Sequence, residues 1–323
     1  MVEERLFVSL QRKNDIFMLI IDAHSHLWYR QETTWNGKKI SALPNGRSMF
    51  LGEEVQMLPP FMIDSHNTAE VFLSNMNYAQ VAGAVVVQEF IDGIQNEYLE
   101  QVKAHYPERF YVFGMADYLH PGFYAEAEKL IKTKGFQGLA IPGHRLITDT
   151  QRVLLNSEEM IKMFHLMEDN NVLLSITLTD GASQVGELRE VIEECPRLKV
   201  VIGHFGMPVA EGWEEQLRLC RYENVYMESG GITWLYNAEF YPFPTAIRVI
   251  RQAIDEVGVG KLMWGSDYPR TITAITYRMS YDFITKSKEL TEKEKAAFLG
   301  ENACRLYGFK NLPDLPYIKN MSE

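Results

Sequence analysis

Four residues carry the chemistry legible in this sequence: His24 and His26 in FMLIIDAHSHLW, His204 in VVIGHFGMP and Asp267 in LMWGSDYPR. They stand at the ends of three short apolar runs. Side chains alternate faces on an extended chain, so imidazoles two residues apart point the same way. Two imidazoles from one strand, a third from elsewhere and a carboxylate make a mononuclear zinc-type site with room for water. Water on such an ion loses a proton near neutral pH, and the ion also polarises a carbonyl. Asp267 then accepts the water's proton or ligates the ion, and the residue types leave both open. Taken singly, each residue has a plainer reading. His204 could donate to a backbone carbonyl, Asp267 could cap the next segment, and the HxH pair could be solvated imidazoles. The joint pattern favours chemistry.

Such residues need strand ends around one mouth. A strand over Met18–Asp22 is expected to lead into the histidines. A long connection follows to about Asn67, with the turn signals WNGKK and LPNGR and the paired prolines of MLPP. A connection of this length inside a compact domain suits a lid or substrate-binding excursion. Beyond it, helical spacing alternates with short runs of Val, Ile and Leu. Strands are expected at Ala84–Val87, Phe110–Met115, Gly138–Ile141, Val172–Leu178, Lys199–Ile202, Val225–Met227 and Leu262–Trp264. With the first, that makes eight strand candidates, each short and flanked by helices, as a doubly buried parallel sheet requires. An α/β fold of the (β/α)8 TIM-barrel type follows, with a long β1–α1 excursion. An open doubly wound sheet would want a glycine-rich phosphate loop after the first strand, and HSHLW has none. The expected layout is an arm over residues 1–17, one barrel domain over 18–309 and a tail over 310–323.

The whole chain sets broader limits. Its 43 acidic against 32 basic residues give a formal charge of −11, which argues against a nucleic-acid partner. No apolar run approaches the roughly 20 residues of a membrane span. The acidic, h-region-free start MVEERLFVSLQRKND does not read as a secretory signal. Three scattered cysteines, Cys195, Cys220 and Cys304, fit buried thiols in a reducing compartment, so a cytoplasmic location is the expectation. Homo-oligomerisation is left open.

HSHLW, GHFGMP, WGSDYP and ENACRLYGF together resemble the amidohydrolase superfamily, in its amidohydrolase-2 branch, from about Met18 to Phe309. VVVQEF with NEYLE, and NVYMESGG before the last strand, are most similar to its lactone-hydrolysing members, the 2-pyrone-4,6-dicarboxylate and sugar-acid lactonases. The resemblance implies a distorted TIM barrel, hydrolysis by an activated water, and a catalytic centre of His24, His26, His204 and Asp267. It also implies one divalent ion, zinc before others, on those four residues. There is a departure on the fifth strand, where Thr177, Thr179 and Asp180 stand in place of a metal-ligating histidine. The fourth strand, GLAIPGHR, offers no lysine for carboxylation, so a binuclear centre is not expected. The resemblance also implies that some members of the lactonase-like branch work without metal, in which case the histidines would face the developing oxyanion as donors.

Candidate substrate contacts are His144 and Arg145 after the fourth strand, Gln88 after the second, Trp28 after the HxH pair, and Tyr268 and Arg270 after Asp267. A guanidinium at the rim could clamp a substrate carboxylate. Aromatic walls suit small ligands, though a single tryptophan is as readily packing. The expected activity is hydrolysis of a small cyclic ester or amide whose substrate carries carboxylate or hydroxyl groups. Non-oxidative decarboxylation of a small aromatic or unsaturated acid is the alternative. A ligand-binding barrel without turnover is the non-enzymatic one.

Overall fold

The computed structural model describes residues 18–319 and 321. The expected arm over residues 1–17 lies outside the described residues. Eight parallel strands run in chain order: β1 (Ile21–Ser25), β6 (Gly83–Val86), β7 (Phe110–Val112), β8 (Gly138–Pro142), β9 (Leu173–Thr177), β10 (Val200–Ile202), β11 (Val225–Glu228) and β12 (Leu262–Met263). β1, β6 and β7 form one run and β8 to β12 another. At one seam Gly114 bridges Leu139; at the other Ser25 bridges Tyr268, and the Ala23 amide donates to Trp264 O at 2.9 Å. The two runs thus meet at both edges, through single bridges rather than full ladders. That is a distorted form of the barrel expected.

Burial explains why these segments are strands. Every residue of β1, β6 and β8 is buried, because the helices cover one face and the barrel interior the other. Ile21, Ala23, Val85, Val87, Phe113 and Ala140 fill the interior, while a larger cluster lies between strands and helices. The helices carry the apolar stripe such packing needs. In α1 (Ala69–Tyr78) the buried positions are Ala69, Phe72 and Met76, at spacings of three and four.

Two differences from the expected layout bear on function. β1 lies three residues further along than Met18–Asp22, so it includes His24. The connection after it is not structureless: β2 (Glu32–Trp35), β3 (Lys38–Ala42), β4 (Arg47–Phe50) and β5 (Glu53–Gln56) make an antiparallel meander. Its tight turns use Asn36-Gly37 and Asn45-Gly46, all four residues at positive φ. The helix Glu292–Ala296 continues as a π turn (Ala297–Glu301) and a further helix (Asn302–Tyr307).

Candidate active site

His24 reaches the mouth of the barrel through a β-bulge. The β1–β6 register pairs Asp22 with Ala84 but Ser25 with Val86, so β1 carries one extra residue. Strict alternation from Ile21 and Ala23, which face the interior, would send His24 outward; the bulge re-aims it. Asp22 turns the other way and is fully buried. It accepts from Ser266 Oγ (2.5 Å), Ser266 N (2.8 Å), Tyr277 OH (2.7 Å) and His24 N (3.1 Å). Burial pushes its carboxyl up to about 6, against the pull of those donors. Asp22 thereby ties the histidine strand to the loop that carries Asp267.

Asp267 and His204 both leave their strands at positive φ, 58° and 56°, a conformation non-glycine residues avoid without a compensating cause. In each case the turn brings the side chain back over the strand ends. Asp267 Oδ1 lies 3.1 Å from His26 Nε2 and 3.6 Å from His24 Nε2, and Oδ2 accepts from Trp234 Nε1 at 2.8 Å. The two histidines of β1 face each other, Nε2 to Nε2, at 3.1 Å. His204 packs its ring 4.5 Å from that of His24, centroid to centroid. One ligand atom each from His24, His204 and Asp267 falls within 4.8 Å of the others, and His26 Nε2 adjoins two of these three residues.

Glu228, at the end of β11, fixes the ring orientations. Its Oε1 accepts from His24 Nδ1 (2.8 Å) and His204 N (3.1 Å), and its Oε2 from Gly230 N (2.5 Å). His204 Nδ1 donates to Gly230 O at 2.8 Å. With its Nδ1 atom occupied as a donor, His24 is left to turn its Nε2 atom towards Asp267 Oδ1. The packing is close enough to require glycine at Gly265, where a Cβ would sit 2.6 Å from that of His24. Around these rings, burial opposes charge and the partners oppose burial. His24 rises to about 9, because Glu228 and then Asp267 outweigh desolvation. Desolvation and the neighbouring His24 lower His204. Desolvation alone would raise Asp267, but His26, Arg270 and His204 hold it well below the usual carboxylate range.

The space that His24, His26 and His204 line is narrow, about 20 Å³, room for about one water molecule. Arg270 and Glu89 line it together with the histidines. His144 and Arg145 stand behind Glu89, at 3.3 Å and 3.4 Å from its two oxygens. Gln88 also borders the space, but its amide is spent on Asn96, Phe113 O and the Gln95 amide. Two expected contacts belong to packing instead. Trp28 is buried against Met57, Leu58 and Met62 under the meander, and Tyr268 stacks on Phe72 at 4.0 Å. Both follow an active-site residue in sequence, yet each side chain points away from the mouth into apolar surroundings.

Sequence reasoning missed Glu228, Trp234 and Asp92 in the site. Glu228 ends an apolar strand just as Asp267 does, so its signal was present in NVYMESGG. Asp92, whose Oδ2 lies 3.4 Å from His26 Nδ1, sits in a short turn with no such signal. Trp234 has none either.

Comparison with known proteins follows the same lines. The family model described as Amidohydrolase matches residues 21–309. L-Fucono-1,5-lactonase of Burkholderia ambifaria is 28% identical over 126 residues, 35% of this chain. The match spans 42% of that protein's length. Among solved structures, an amidohydrolase of Burkholderia multivorans with bound zinc has 17% identity and a TM-score of 0.67, over 91% of this chain and all of that one. A probable 2-pyrone-4,6-dicarboxylic acid hydrolase of Acinetobacter baumannii, with citric acid bound, has 21% identity and a TM-score of 0.65, over 90% and 100%. 2,6-Dihydroxybenzoate decarboxylase from Rhizobium is more distant, at 15% identity and a TM-score of 0.57, over 75% and 89%. At these identities the solved structures speak for the fold, and the family model, matching nearly the whole described chain, speaks for descent: the chain belongs to the amidohydrolase family.

Proposed function

We propose that this chain hydrolyses a small lactone, with Asp267 as the base that activates water. The observation that carries the reading is the buried Asp267 carboxylate. It is held ionised, with Oδ1 turned towards His24 and His26 and Oδ2 anchored by Trp234. Water held at the histidines loses a proton to Oδ1 as its oxygen attacks the ring carbonyl. The carbonyl oxygen takes up the negative charge, and the ring C–O bond then breaks. Asp267 returns the proton to the departing oxygen, and the product is an open hydroxy acid.

The donor set fits a divalent ion. Around an ion with bonds of about 2.0–2.1 Å in tetrahedral geometry, ligand atoms stand about 3.3 Å apart. The separations here are 3.1 Å and 3.6 Å, and the imidazoles of β1 converge on a buried carboxylate, a donor set of the kind such an ion takes. His24, His26, His204 and Asp267 would hold the ion, with Glu228 orienting His24 behind it. Zinc suits imidazole and carboxylate together, and a zinc-bound amidohydrolase of the same fold supports that choice. When bound, the ion supplies Lewis acidity to the carbonyl and lowers the pKa of water.

Asp267→Asn tests the reading. The variant is expected to fold, to keep the thermal midpoint within a few degrees, and to lose lactone turnover. Retained turnover removes Asp267 from the mechanism. Metal analysis of the purified protein and a panel of lactones against hydroxybenzoates separate hydrolysis from decarboxylation.

A further inference from the structure

We infer that Glu89 sets the charge of the substrate, reserving the site for an uncharged, hydroxyl-bearing ring and turning away one that carries carboxylates. The inference rests on the lactonase reading and names its substrate class. Glu89 follows β6 by three residues and borders the catalytic space, 8% exposed. Its Oε1 accepts from the Phe90 amide at 2.8 Å and lies 3.4 Å from Arg145 Nε; its Oε2 lies 3.3 Å from His144 Nε2. The Arg145 guanidinium also lies over the Trp35 ring of the meander, 4.8 Å from its centroid. Arg270, the second guanidinium at the rim, stands 3.8 Å from Asp92 Oδ1. Each cation that could clamp a substrate carboxylate therefore already faces a carboxylate of the protein.

An incoming carboxylate would meet Glu89 and Asp92 at close range in a poorly hydrated space, where like charges repel strongly. A hydroxyl meets no such repulsion and does something a carboxylate does not, since it both donates and accepts. The rim offers both kinds of unmet partner. Among the described residues, Asp92 Oδ2 is a buried acceptor, and Arg145 Nε and Arg270 Nη2 are buried donors, each held only by a long ion pair (3.4 Å to His26 Nδ1, 3.4 Å to Glu89 Oε1 and 3.8 Å to Asp92 Oδ1) and by no hydrogen bond of good geometry. A ring with several hydroxyls satisfies acceptors and donors together. Arg145 and Arg270 are thus not free carboxylate clamps, and Glu89 is the residue that keeps Arg145 from becoming one.

The test compares wild type with Glu89→Gln. Turnover is measured on an uncharged aldono-1,5-lactone and on 2-pyrone-4,6-dicarboxylate, and binding is measured calorimetrically with isophthalate, a rigid dicarboxylate that does not chelate. Wild type is expected to prefer the uncharged ring, and Glu89→Gln to bind isophthalate about tenfold tighter and to lose about tenfold of that preference. Isophthalate affinity unchanged within twofold overturns the inference, as does a wild type that turns over the dicarboxylate as well as the uncharged ring. If neither lactone is hydrolysed, the lactonase reading fails, while isophthalate binding still decides the role of Glu89. Should Glu89→Gln not fold, wild-type affinities for isophthalate and for an uncharged polyol lactone decide it, and tighter isophthalate binding overturns it.

Discussion

Replacing Glu228 by glutamine removes the support of His24 and His204, two histidines of the proposed site, while keeping the side chain's shape. Glu228 uses both oxygens as acceptors: one for His24 Nδ1 at 2.8 Å and His204 N at 3.1 Å, the other for Gly230 N at 2.5 Å. Glutamine keeps one acceptor oxygen and turns the other into a donor. Whichever way the amide lies, an N–H group is left facing a donor in a buried place, at a cost of about 1–3 kcal/mol of stability. His24 also loses the charge that raises it to about 9, so its imidazole moves back down and is no longer held in one orientation. Loss of such a partner typically lowers activity or metal affinity about 10–100-fold, equivalent to about 1.4–2.7 kcal/mol. The assay is kcat/KM on a lactone that wild type hydrolyses, with metal content and thermal midpoint measured on the same preparation. Glu228→Asp keeps the charge but withdraws it by one methylene, and should fall between wild type and Glu228→Gln. A folded Glu228→Gln variant with kcat/KM within twofold of wild type and unchanged metal content would refute the reasoning.

Two further outcomes are expected. Trp234→Phe removes the donor to Asp267 Oδ2, leaving a buried carboxylate oxygen unmatched, and should cost about 1–3 kcal/mol of stability and lower kcat more than it raises KM; steady-state kinetics and chemical denaturation read both. Glu294 is held down to about 2 by the Thr291 amide, followed by Arg251 at 2.7 Å. A depressed carboxyl stabilises the folded state above its unfolded value near 4.5, and that contribution is lost as pH falls towards 2. Glu294→Gln should therefore be less stable than wild type by about 1 kcal/mol at pH 7, after allowing for solvent around this surface group, with the gap closing between pH 4.5 and 2. Urea midpoints across that range give the answer, and a constant gap would contradict it.

The barrel was legible because its strands are buried on both faces. Runs such as Val200–Ile202 and Gly138–Ile141 admit few other readings between helices. His24, His26, His204 and Asp267 were legible for a related reason: a proton-active residue directly after such a run has nowhere to go but the mouth. The meander was not, because it lies at the surface. Glu32–Trp35 alternates exposed and half-buried residues with Trp35 its one large apolar side chain, and only the Asn-Gly turns gave it away. The bulge in β1 was also hidden. It depends on how β1 pairs with β6, and nothing local marks it. Trp28 and Tyr268 mislead for the opposite reason, since closeness in sequence to a catalytic residue says nothing about which side of the backbone a ring takes.

The seam between β12 and β1 has a consequence for how the protein comes into being. His26 and Asp267 are 241 positions apart, and the hydrogen bonds that join the last strand to the first, from Asp267 N to His24 O and from His26 N to Tyr268 O, also bring these two residues together. On the proposed function, a chain still growing on the ribosome holds both β1 histidines from early on but lacks Asp267, the base proposed to complete them. On that reading, reactivity waits on completion of the ring, and a cut or graft that parts this one joint is expected to silence the site without touching any residue proposed to perform its chemistry.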